Sequence, residues 1–351
     1  MKVSIGTNIK EGPWGGGNLF AINLKDYLLK NGHKVVHDLL DTDIDIILIT
    51  EPRKTSESSA FTHIDVLRYL KYVNYKALVF HRFNECDERK GTNYVNEYLI
   101  EANKVADHSI FVSNWLKNLF LEQGLKSKNN TVIYGGANSK IFNSKNLTTR
   151  EYGEKIKIVT HHWGANWNKG FEIYSAIDDL LSLNKWKSMF SFTYIGNVPK
   201  NFYFKNSTLI PPMSGYELAN EIKKNNLYIT GSINEPSGNH HIEAAQCGLP
   251  ILYINSGGTP EYCKEYGLEF NANNLEKKLE EMHENYELYR NKLRDYPHDS
   301  NKMCKEYLEV FQIALNEKAT LLDLRKFKES NNTILKKLFN LLRSLLKIFS
   351  N

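Results

Sequence analysis

Two glutamates in residues 231–261 have the types and spacing that best suit chemistry. This window reads GSINEPSGNHHIEAAQCGLPILYINSGGTPE, and Glu235 and Glu243 stand eight positions apart in it. A proline, a serine and a glycine follow Glu235, and such residues prevent one continuous helix through both glutamates. We therefore expect Glu235 on a loop and Glu243 in the first turns of the next helix, with Asn239 as its N-cap.

The start of that helix is suited to binding phosphate. A helix N-terminus offers free backbone N–H groups and a partial positive charge. Gly238 would let a ligand approach the backbone closely. The Glu243 carboxylate, one turn further on, can accept both hydroxyls of a ribose, and Glu235 would then face a sugar beyond a diphosphate. The pattern predicts a nucleotide-sugar site.

The same window resembles the E-x7-E signature of retaining GT-B glycosyltransferases, in particular glycosyltransferase family 4, the group 1 transferases. The resemblance implies that Glu235 contacts the donor sugar and Glu243 the ribose. The continuation CGLPILYINSGGTPE is similar to a helix, strand and glycine loop near the family's diphosphate, which implies donor contacts at Gly257 and Gly258. Two glutamates at this spacing are otherwise often a solvated helix start.

Residues 160–170, THHWGANWNKG, resemble the opening of the family's donor domain, where an arginine and a Lys-Gly pair bind the diphosphate. Lys169 matches the lysine, and its ammonium would neutralise charge on the departing diphosphate. The arginine is absent, and His161, His162 and Asn166 are candidates to replace it, with His162 taken as a donor contact. An exposed lysine at a helix start is the alternative interpretation of Lys169.

A glycine loop precedes the first predicted helix, with Gly12, Gly15, Gly16 and Gly17. It resembles the family's first loop, which approaches the donor phosphates or the acceptor across the cleft, so Gly16 and Gly17 are predicted donor contacts. Phe20 occupies the last position of a G-x-G-x-x-G fingerprint, which disfavours a dinucleotide-binding dehydrogenase. A merely flexible turn is the alternative.

His81 follows a predicted strand, at the carboxyl end where ligands collect in open α/β sheets. The resemblance implies an acceptor-side or sugar-contacting role for His81, which we count with Glu235 and Lys169 as a catalytic candidate. Arg82 and Arg89, in the charged run that follows, are weaker candidates. A surface network of mutually satisfied charges explains that run equally well.

Neither a metal nor another cofactor is expected. His240 and His241 are adjacent, so they point in different directions, and no third ligand stands nearby. Their backbone amides at the helix start are the predicted donor contacts. The resemblance implies a nucleotide sugar such as a UDP- or GDP-sugar as substrate.

Strands and helices alternate through most of the chain and must position these residues. Such alternation predicts parallel, doubly wound sheets. The expected fold class is α/β, with two Rossmann-like domains facing across a cleft, as in GT-B proteins. The predicted divisions are an acceptor domain (1–142), a linker (143–154), a nucleotide-sugar donor domain (155–300), a helical segment (301–325) and a basic amphipathic tail (326–351).

Composition agrees with two globular domains in a reducing compartment. The chain has 351 residues, of which 41% are hydrophobic, enough for two sizeable cores. A net charge of +5 does not demand nucleic acid and suits anionic ligands. The four cysteines form no CxxC pair, so neither a zinc site nor a disulfide framework is indicated, and a cytoplasmic location is expected.

The tail contains a basic amphipathic segment, residues 333–349. A helix there places Leu and Ile on one face and basic or amide residues on the other; the apolar set is Ile334, Leu338, Leu341, Leu342, Leu345 and Ile348, and the polar set is Lys336, Asn340, Arg343 and Lys347. Such a helix can lie in an anionic membrane interface. We expect peripheral contact with the inner face of the cell membrane; docking on this protein or on another copy is the alternative.

The sequence thus predicts a glycosyltransferase that moves a sugar from a nucleotide sugar to a glycan or lipid-linked acceptor. Retention of anomeric configuration and a part in bacterial surface polysaccharide synthesis (capsule, lipopolysaccharide or exopolysaccharide) follow from the resemblance alone. The alternatives are a GT-B sugar-nucleotide epimerase, an inverting transferase, or a non-catalytic partner subunit. Both glutamates and Lys169 are present, which argues against the last of these.

Overall fold

A computed structural model describes residues 1–12, 14–148, 150–151 and 153–350, with side chains through residue 347. Thr149 and Tyr152 of the predicted linker, and the side chain of Ile348 on the predicted apolar face, lie outside the described part. Among the described residues, no helix is both long enough and apolar enough to cross a membrane.

Six parallel strands form the first sheet, and they coincide with apolar runs of the sequence. They are β1 (Lys2–Ile5), β2 (Lys34–Val36), β3 (Ile46–Ile49), β4 (Leu78–Phe83), β5 (His108–Phe111) and β6 (Asn130–Val132). Their order is β2-β1-β3-β4-β5-β6. All residues of β3 and β4 are buried, as expected for central strands covered on both faces.

Helices connect these strands and cover both faces of the sheet. They are α1 (Gly16–Lys30), α2 (His63–Tyr72), α3 (Asp87–Lys90), α4 (Val95–Ala102) and α5 (Asn114–Glu122), with a 3₁₀ turn at Asn103–Val105. α2 begins with a capping box, in which Thr62 accepts from the Asp65 amide and the Asp65 carboxylate accepts from the Thr62 amide. Phe20 and Leu24 of α1 pack against the sheet in one apolar core.

A second parallel sheet begins after the linker region. Its strands are β7 (Ile156–His162), β8 (Phe190–Gly196), β9 (Thr208–Ile210), β10 (Leu227–Thr230), β11 (Ile251–Ile254) and β12 (Gly267–Phe270), in the order β12-β11-β10-β7-β8-β9. The edge strand β12 is short and carries an exposed Glu269.

The helices of the second domain also alternate with its strands. They are α6 (Phe171–Leu180), α7 (Asn184–Met189), α8 (Gly215–Ile222), α9 (Asn239–Gln246), α10 (Thr259–Cys263), α11 (Leu275–Glu284) and α12 (Tyr286–Lys292). Two 3₁₀ turns, Trp167–Lys169 and Leu293–Asp295, precede α6 and follow α12. The fold is therefore α/β with two doubly wound domains, and the predicted fold class is confirmed.

After the second sheet the chain returns to the first domain. The helices α13 (Ser300–Asn316) and α14 (Lys318–Asp323) follow, and Met303, Tyr307 and Phe311 of α13 join the core that contains Phe20 and Phe80. Arg325 then forms a bidentate pair with Asp107, with Nε–Oδ1 and Nη2–Oδ2 distances of 2.7 and 2.6 Å. The segment that follows the second domain thus completes the core of the first domain.

The two domains also contact each other directly at α5 and α10. The Glu261 carboxylate accepts hydrogen bonds from the backbone N–H groups of Asn114 (2.8 Å) and Trp115 (2.7 Å), at the start of α5. The Tyr134 hydroxyl donates to the same carboxylate at 2.9 Å. A carboxylate at a helix N-terminus satisfies free amides and is favoured by the helix dipole. This contact holds one side of the interdomain cleft.

The final helix, α15 (Thr333–Ser350), docks on the first domain through its polar face. Arg343 Nε donates to the Leu39 carbonyl at 3.0 Å, and Lys347 lies 2.5 Å from the Asp41 carboxylate. Phe339 stacks on Tyr72 with ring centroids 4.7 Å apart. The predicted apolar residues 334, 338, 341, 342 and 345 are exposed, so the basic face lies against the protein and the leucine face points away from it.

Candidate active site

A cavity of about 560 Å³ lies between the two domains, at the carboxyl ends of strands from both sheets. Its first wall comes from the glycine loop after β1 and from the segment after β4. Its second wall comes from the segment after β7, the loop after β10 and the start of α9. Ligands bind at the carboxyl ends of strands in open α/β sheets, so this cavity is the candidate active site.

Lys169 is carried by the 3₁₀ turn between β7 and α6, and its side chain lines the cavity. The next residue, Gly170, has φ 103°, and a Cβ there would fall 2.6 Å from the backbone of Gly231. Only glycine permits this contact, and it fixes the turn against the strand end of β10. The glycine of the Lys-Gly pair is therefore required by the backbone packing of this turn, in addition to any chemical role of the lysine.

Glu235 lies on the loop between β10 and α9, as predicted, and its carboxylate meets Lys169. The Lys169 Nζ to Glu235 Oε2 distance is 3.4 Å. Both side chains are largely buried, with exposed fractions of 17% and 12%. A cation and a carboxylate are therefore held together at the cavity wall with little water between them.

Gly257 and Gly258 support the Glu235 loop from behind and do not line the cavity. The Gly258 amide donates to the Glu235 carbonyl at 2.8 Å. A Cβ at Gly257 would fall 2.5 Å from the same carbonyl oxygen, and Gly257 has φ 64°. In the structure these two glycines position the Glu235 loop, because its backbone occupies the space that they leave; their contact with the donor stays a prediction.

Arg89 reaches the same carboxylate from the opposite domain. Its Nε lies 3.0 Å from Glu235 Oε2, and the side chain is 5% exposed. Arg89 sits on α3, which ends at Gly91 with a left-handed conformation. The charged run after His81 was the sequence signal for Arg89. Nothing in that run indicates which of its charged side chains reaches across the cleft, so the contact with Glu235 could not be predicted.

The start of α9 faces the glycine loop across the cavity. Its N-cap is Gly238, with φ 80°, and Asn239 is the first helical residue, so the predicted N-cap is one residue too late. A Cβ on Gly16 would lie 3.0 Å from the Asn239 side chain, and Gly17 also lines the cavity. The two predicted loops thus meet where the free amides of α9 are exposed to the cavity.

Glu243 lines the cavity and is paired with His161, with an Oε2 to Nε2 distance of 2.9 Å. His162 also lines the cavity, and its Nε2 lies 2.7 Å from the Tyr174 hydroxyl. His240 Nε2 lies 2.9 Å from the Thr230 hydroxyl. His241 does not line the cavity, and its ring packs beneath Gly238, where a Cβ would lie 2.4 Å from it.

Burial and charge set the protonation states of these groups. Burial alone would raise the pKa of Glu235, but Lys169 and Arg89 lower it below its usual value. Burial lowers the pKa of Lys169, although Glu235 opposes this shift. Burial lowers the pKa of His241 to about 3 and holds the pKa of His240 well below its usual value. The start of α9 therefore carries neutral imidazoles beside charged Glu235 and Lys169.

His81 is not brought to the cavity. It lies within β4, is fully buried, and its Nδ1 is 3.1 Å from the Asn103 side-chain oxygen. Burial lowers its pKa to about 3. Alternate residues of a strand point to opposite faces, and it is Arg82 that lines the cavity while His81 packs against Phe83 on the other side. The predicted catalytic contact of His81 has no geometric support.

The far end of the cavity was not predicted from the sequence. It lies between the end of β8 and the start of α8 and is lined by Ile195, Gly196, Met213 and Ser214. These residues offer apolar surface and backbone groups and carry no charge, so no motif marks them. Across the described residues, no three or more His, Cys, Asp or Glu are arranged to hold a metal ion.

This chain resembles known proteins in the sequence of a segment of the second domain and in its fold. Residues 204–296 match the family model for glycosyl transferases group 1. No curated protein matches the chain by sequence.

Solved structures similar to the whole chain include a glycosyltransferase from Rickettsia africae, at 16% identity and a TM-score of 0.64, covering 90% of this chain and 98% of that one. Sucrose-phosphate synthase from Thermosynechococcus elongatus is 14% identical, with a TM-score of 0.62, covering 90% and 99%. Anabaena HepE in complex with UDP and glucose is 13% identical, with a TM-score of 0.64, covering 89% and 100%.

At these identities the solved structures show the fold alone, which is the GT-B fold predicted by resemblance. The family match covers residues 204–296, the segment that carries Glu235 and Glu243, and it contributes the class of chemistry. A segment that matches group 1 glycosyl transferases, within a chain that has the GT-B fold, supports a glycosyltransferase.

Proposed function

We propose that this glycosyltransferase transfers a sugar from a nucleotide-sugar donor, held on the second domain, to a glycan or lipid-linked acceptor that enters from the first domain. The observation that carries the proposal is the meeting of Lys169, Glu235 and the start of α9 on one cavity wall. A cation, free helix amides and a carboxylate are the partners that a sugar diphosphate requires.

Each group has a role in this proposal. The diphosphate lies against the free amides of α9 and the Lys169 ammonium, which stabilise the negative charge that develops as the bond to the sugar breaks. Glu235 accepts hydrogen bonds from the sugar hydroxyls. Glu243 accepts those of the ribose, and His161 orients its carboxylate from a distance of 2.9 Å. Gly16 and Gly17 cover the diphosphate from the opposite domain.

Several further points of this proposal rest on likeness to other proteins. Anabaena HepE has been solved in complex with UDP-glucose, which makes UDP-sugars the first donors to test here. Retention of configuration, membership of glycosyltransferase family 4 and a part in bacterial surface polysaccharide synthesis follow from the resemblance of the E-x7-E window. Metal-free catalysis also belongs to this proposal.

Peripheral attachment to the inner face of the cell membrane through α15 is part of the same proposal. Its leucine face is exposed, with Leu341 59% and Leu342 48% accessible. Lys336, Arg343 and Lys347 already contact protein groups. Attachment therefore depends on burying the leucines in the lipid interface more than on charge. A membrane location would also bring the cavity to a lipid-linked acceptor.

The test is a thermal-shift screen with UDP-, GDP-, ADP- and dTDP-sugars, followed by analysis of the products formed with the stabilising donor. A bound ligand stabilises the folded protein by mass action, so one donor should raise Tm, and a transferred sugar with unchanged anomeric configuration should follow. An epimerised donor, an inverted product, or nucleotide binding without turnover would instead support the alternative functions. Stabilisation by none of the donors would contradict the proposal.

A further inference from the structure

The ion pair with Glu235 uses only part of the hydrogen-bonding capacity of the Arg89 guanidinium. Its Nε contacts the carboxylate at 3.0 Å, but both terminal nitrogens, Nη1 and Nη2, are buried and have no hydrogen-bond partner among the residues that the structure describes. These nitrogens carry four of the five N–H donors of the guanidinium. Buried donors without partners cost free energy, so this half of the side chain is suited to a ligand that supplies acceptors.

The charged side chains of the cavity that contains Arg89 carry a net positive charge, which a bound anion would neutralise. Glu235 Oε2 alone receives both Arg89 Nε and Lys169 Nζ, at 3.0 and 3.4 Å. The next charges outward, Lys90 and Glu85, pair with each other at 3.1 Å. The charged side chains that line the cavity are four cations and three carboxylates, an excess of one positive charge; they are Arg82, Arg89, Lys90 and Lys169, and Glu85, Glu235 and Glu243. One cation would be enough to neutralise the Glu235 carboxylate. The presence of two cations is therefore not explained by pairing with Glu235 alone.

The location of Arg89 indicates which anion it receives. Arg89, Lys169 and Glu235 all line the cavity that also contains the start of α9. A planar guanidinium matches phosphate oxygens with two parallel hydrogen bonds, which an ammonium cannot do. The segment 160–170 around Lys169 contains no arginine, and the arginines that line the cavity, Arg82 and Arg89, both come from the first domain.

We propose that Arg89, from the first domain, binds the diphosphate of the donor together with Lys169 of the second domain. This inference rests on the proposed function. The first domain then completes the donor site, in addition to receiving the acceptor, and donor binding draws the two domains together. Glu235 is released from the guanidinium when the phosphate takes its place, and its carboxylate turns to the hydroxyls of the sugar.

The experiment compares the affinities of mono- and diphosphates of uridine and guanosine by calorimetric titration. The quantity measured is the ratio of Kd for the monophosphate to Kd for the diphosphate, which isolates the terminal phosphate. Arg89→Gln should lower this ratio by about 10- to 100-fold, as expected for loss of a charged hydrogen-bonding pair. Arg89→Lys should restore only part of it, because the bidentate geometry is lost.

Arg68→Gln removes an exposed positive charge of the same domain outside the cavity and is the matched control, with a ratio close to that of the natural protein. A ratio unchanged by both Arg89 variants, in proteins that still bind the diphosphate, would overturn the role of Arg89 and leave the proposed function intact. Should the natural protein bind none of the four nucleotides, the proposed function fails and this inference with it. Arg89→Lys keeps the charge buried, so it serves if Arg89→Gln does not fold.

Discussion

Arg89 and Glu235 belong to different domains, and their side chains meet across the cleft at 3.0 Å. Lys169 approaches the same carboxylate oxygen at 3.4 Å. Sugar hydroxyls would either use the other oxygen of this carboxylate or compete with the two cations. In both cases these three side chains are the most informative positions for mutation.

Lys169→Ala should lower kcat by about 10²–10³, because the ammonium is aimed at charge that develops on the leaving diphosphate. Glu235→Ala should lower the rate similarly, since the carboxylate positions the sugar. Initial rates with the donor found by screening measure both effects. Lys185→Ala, which removes an exposed lysine of the same domain, is the control. Unchanged turnover in both site variants would show that the roles are wrongly assigned.

Glu243→Ala should raise KM for the donor and change kcat little. Ribose contacts are the same in the ground state and the transition state, so their loss weakens binding without raising the chemical barrier. His161→Phe should show a smaller rise, because it removes the 2.9 Å contact that orients the carboxylate. Steady-state kinetics over a range of donor concentrations separates the two parameters. A fall in kcat at constant KM would place Glu243 at the reacting sugar instead.

Much of this site could be predicted because its sequence signals are local. A Pro-Ser-Gly segment separates Glu235 from Glu243, and glycines mark the close approaches at Gly16, Gly170 and Gly238. The central strands are continuous apolar runs, which is why the alternation of strands and helices could be recognised.

Contacts between distant segments could not be predicted. The position of Arg89 beside Glu235 depends on how the two domains are placed relative to each other. The packing of α13 against the first domain depends on its apolar face, with Tyr307 and Phe311, and the sequence does not indicate which core that face covers. His81 was misplaced because a strand end does not reveal which of two successive residues faces the cleft. Its neighbour Arg82 has that position.

His81→Gln should leave turnover at pH 7 nearly unchanged and should make stability less dependent on pH. Burial holds the pKa of His81 at about 3, below the usual 6.5. Between these values the unfolded chain binds a proton that the folded protein does not, so stability falls as the pH falls below 6.5. From pH 7 to pH 5, the natural protein should lose about 2 kcal/mol more than the variant.

Urea unfolding at the two pH values measures this difference. Equal losses in the natural protein and in His81→Gln would show that His81 is not held neutral in the folded protein. A large fall in turnover at pH 7, with folding intact, would restore the catalytic role predicted from the sequence.

Replacing Leu341 and Leu345 of α15 by serine should weaken binding to lipid vesicles at least tenfold. Each leucine buried in an apolar phase contributes roughly 1.5–3 kcal/mol, and both side chains are about half exposed on the protein. Sedimentation with phosphatidylglycerol and phosphatidylcholine vesicles measures the change, and both kinds should bind, since several cations of α15 are already paired. Ile313→Ser, at an exposed position on α13, is the matched control.

Vesicle binding that survives loss of both leucines would contradict attachment through this face. Binding that disappears together with a change from dimer to monomer would instead indicate that a second copy covers the helix.

The most direct test is a crystal structure of the protein with the nucleoside diphosphate that stabilises it. We expect the terminal phosphate within about 3 Å of Lys169 Nζ and of the free backbone N–H groups at the start of α9, with Glu243 on the ribose and Glu235 freed from Arg89. A nucleotide bound outside the cavity, or one whose phosphates point away from Lys169 and α9, would contradict the proposed donor site.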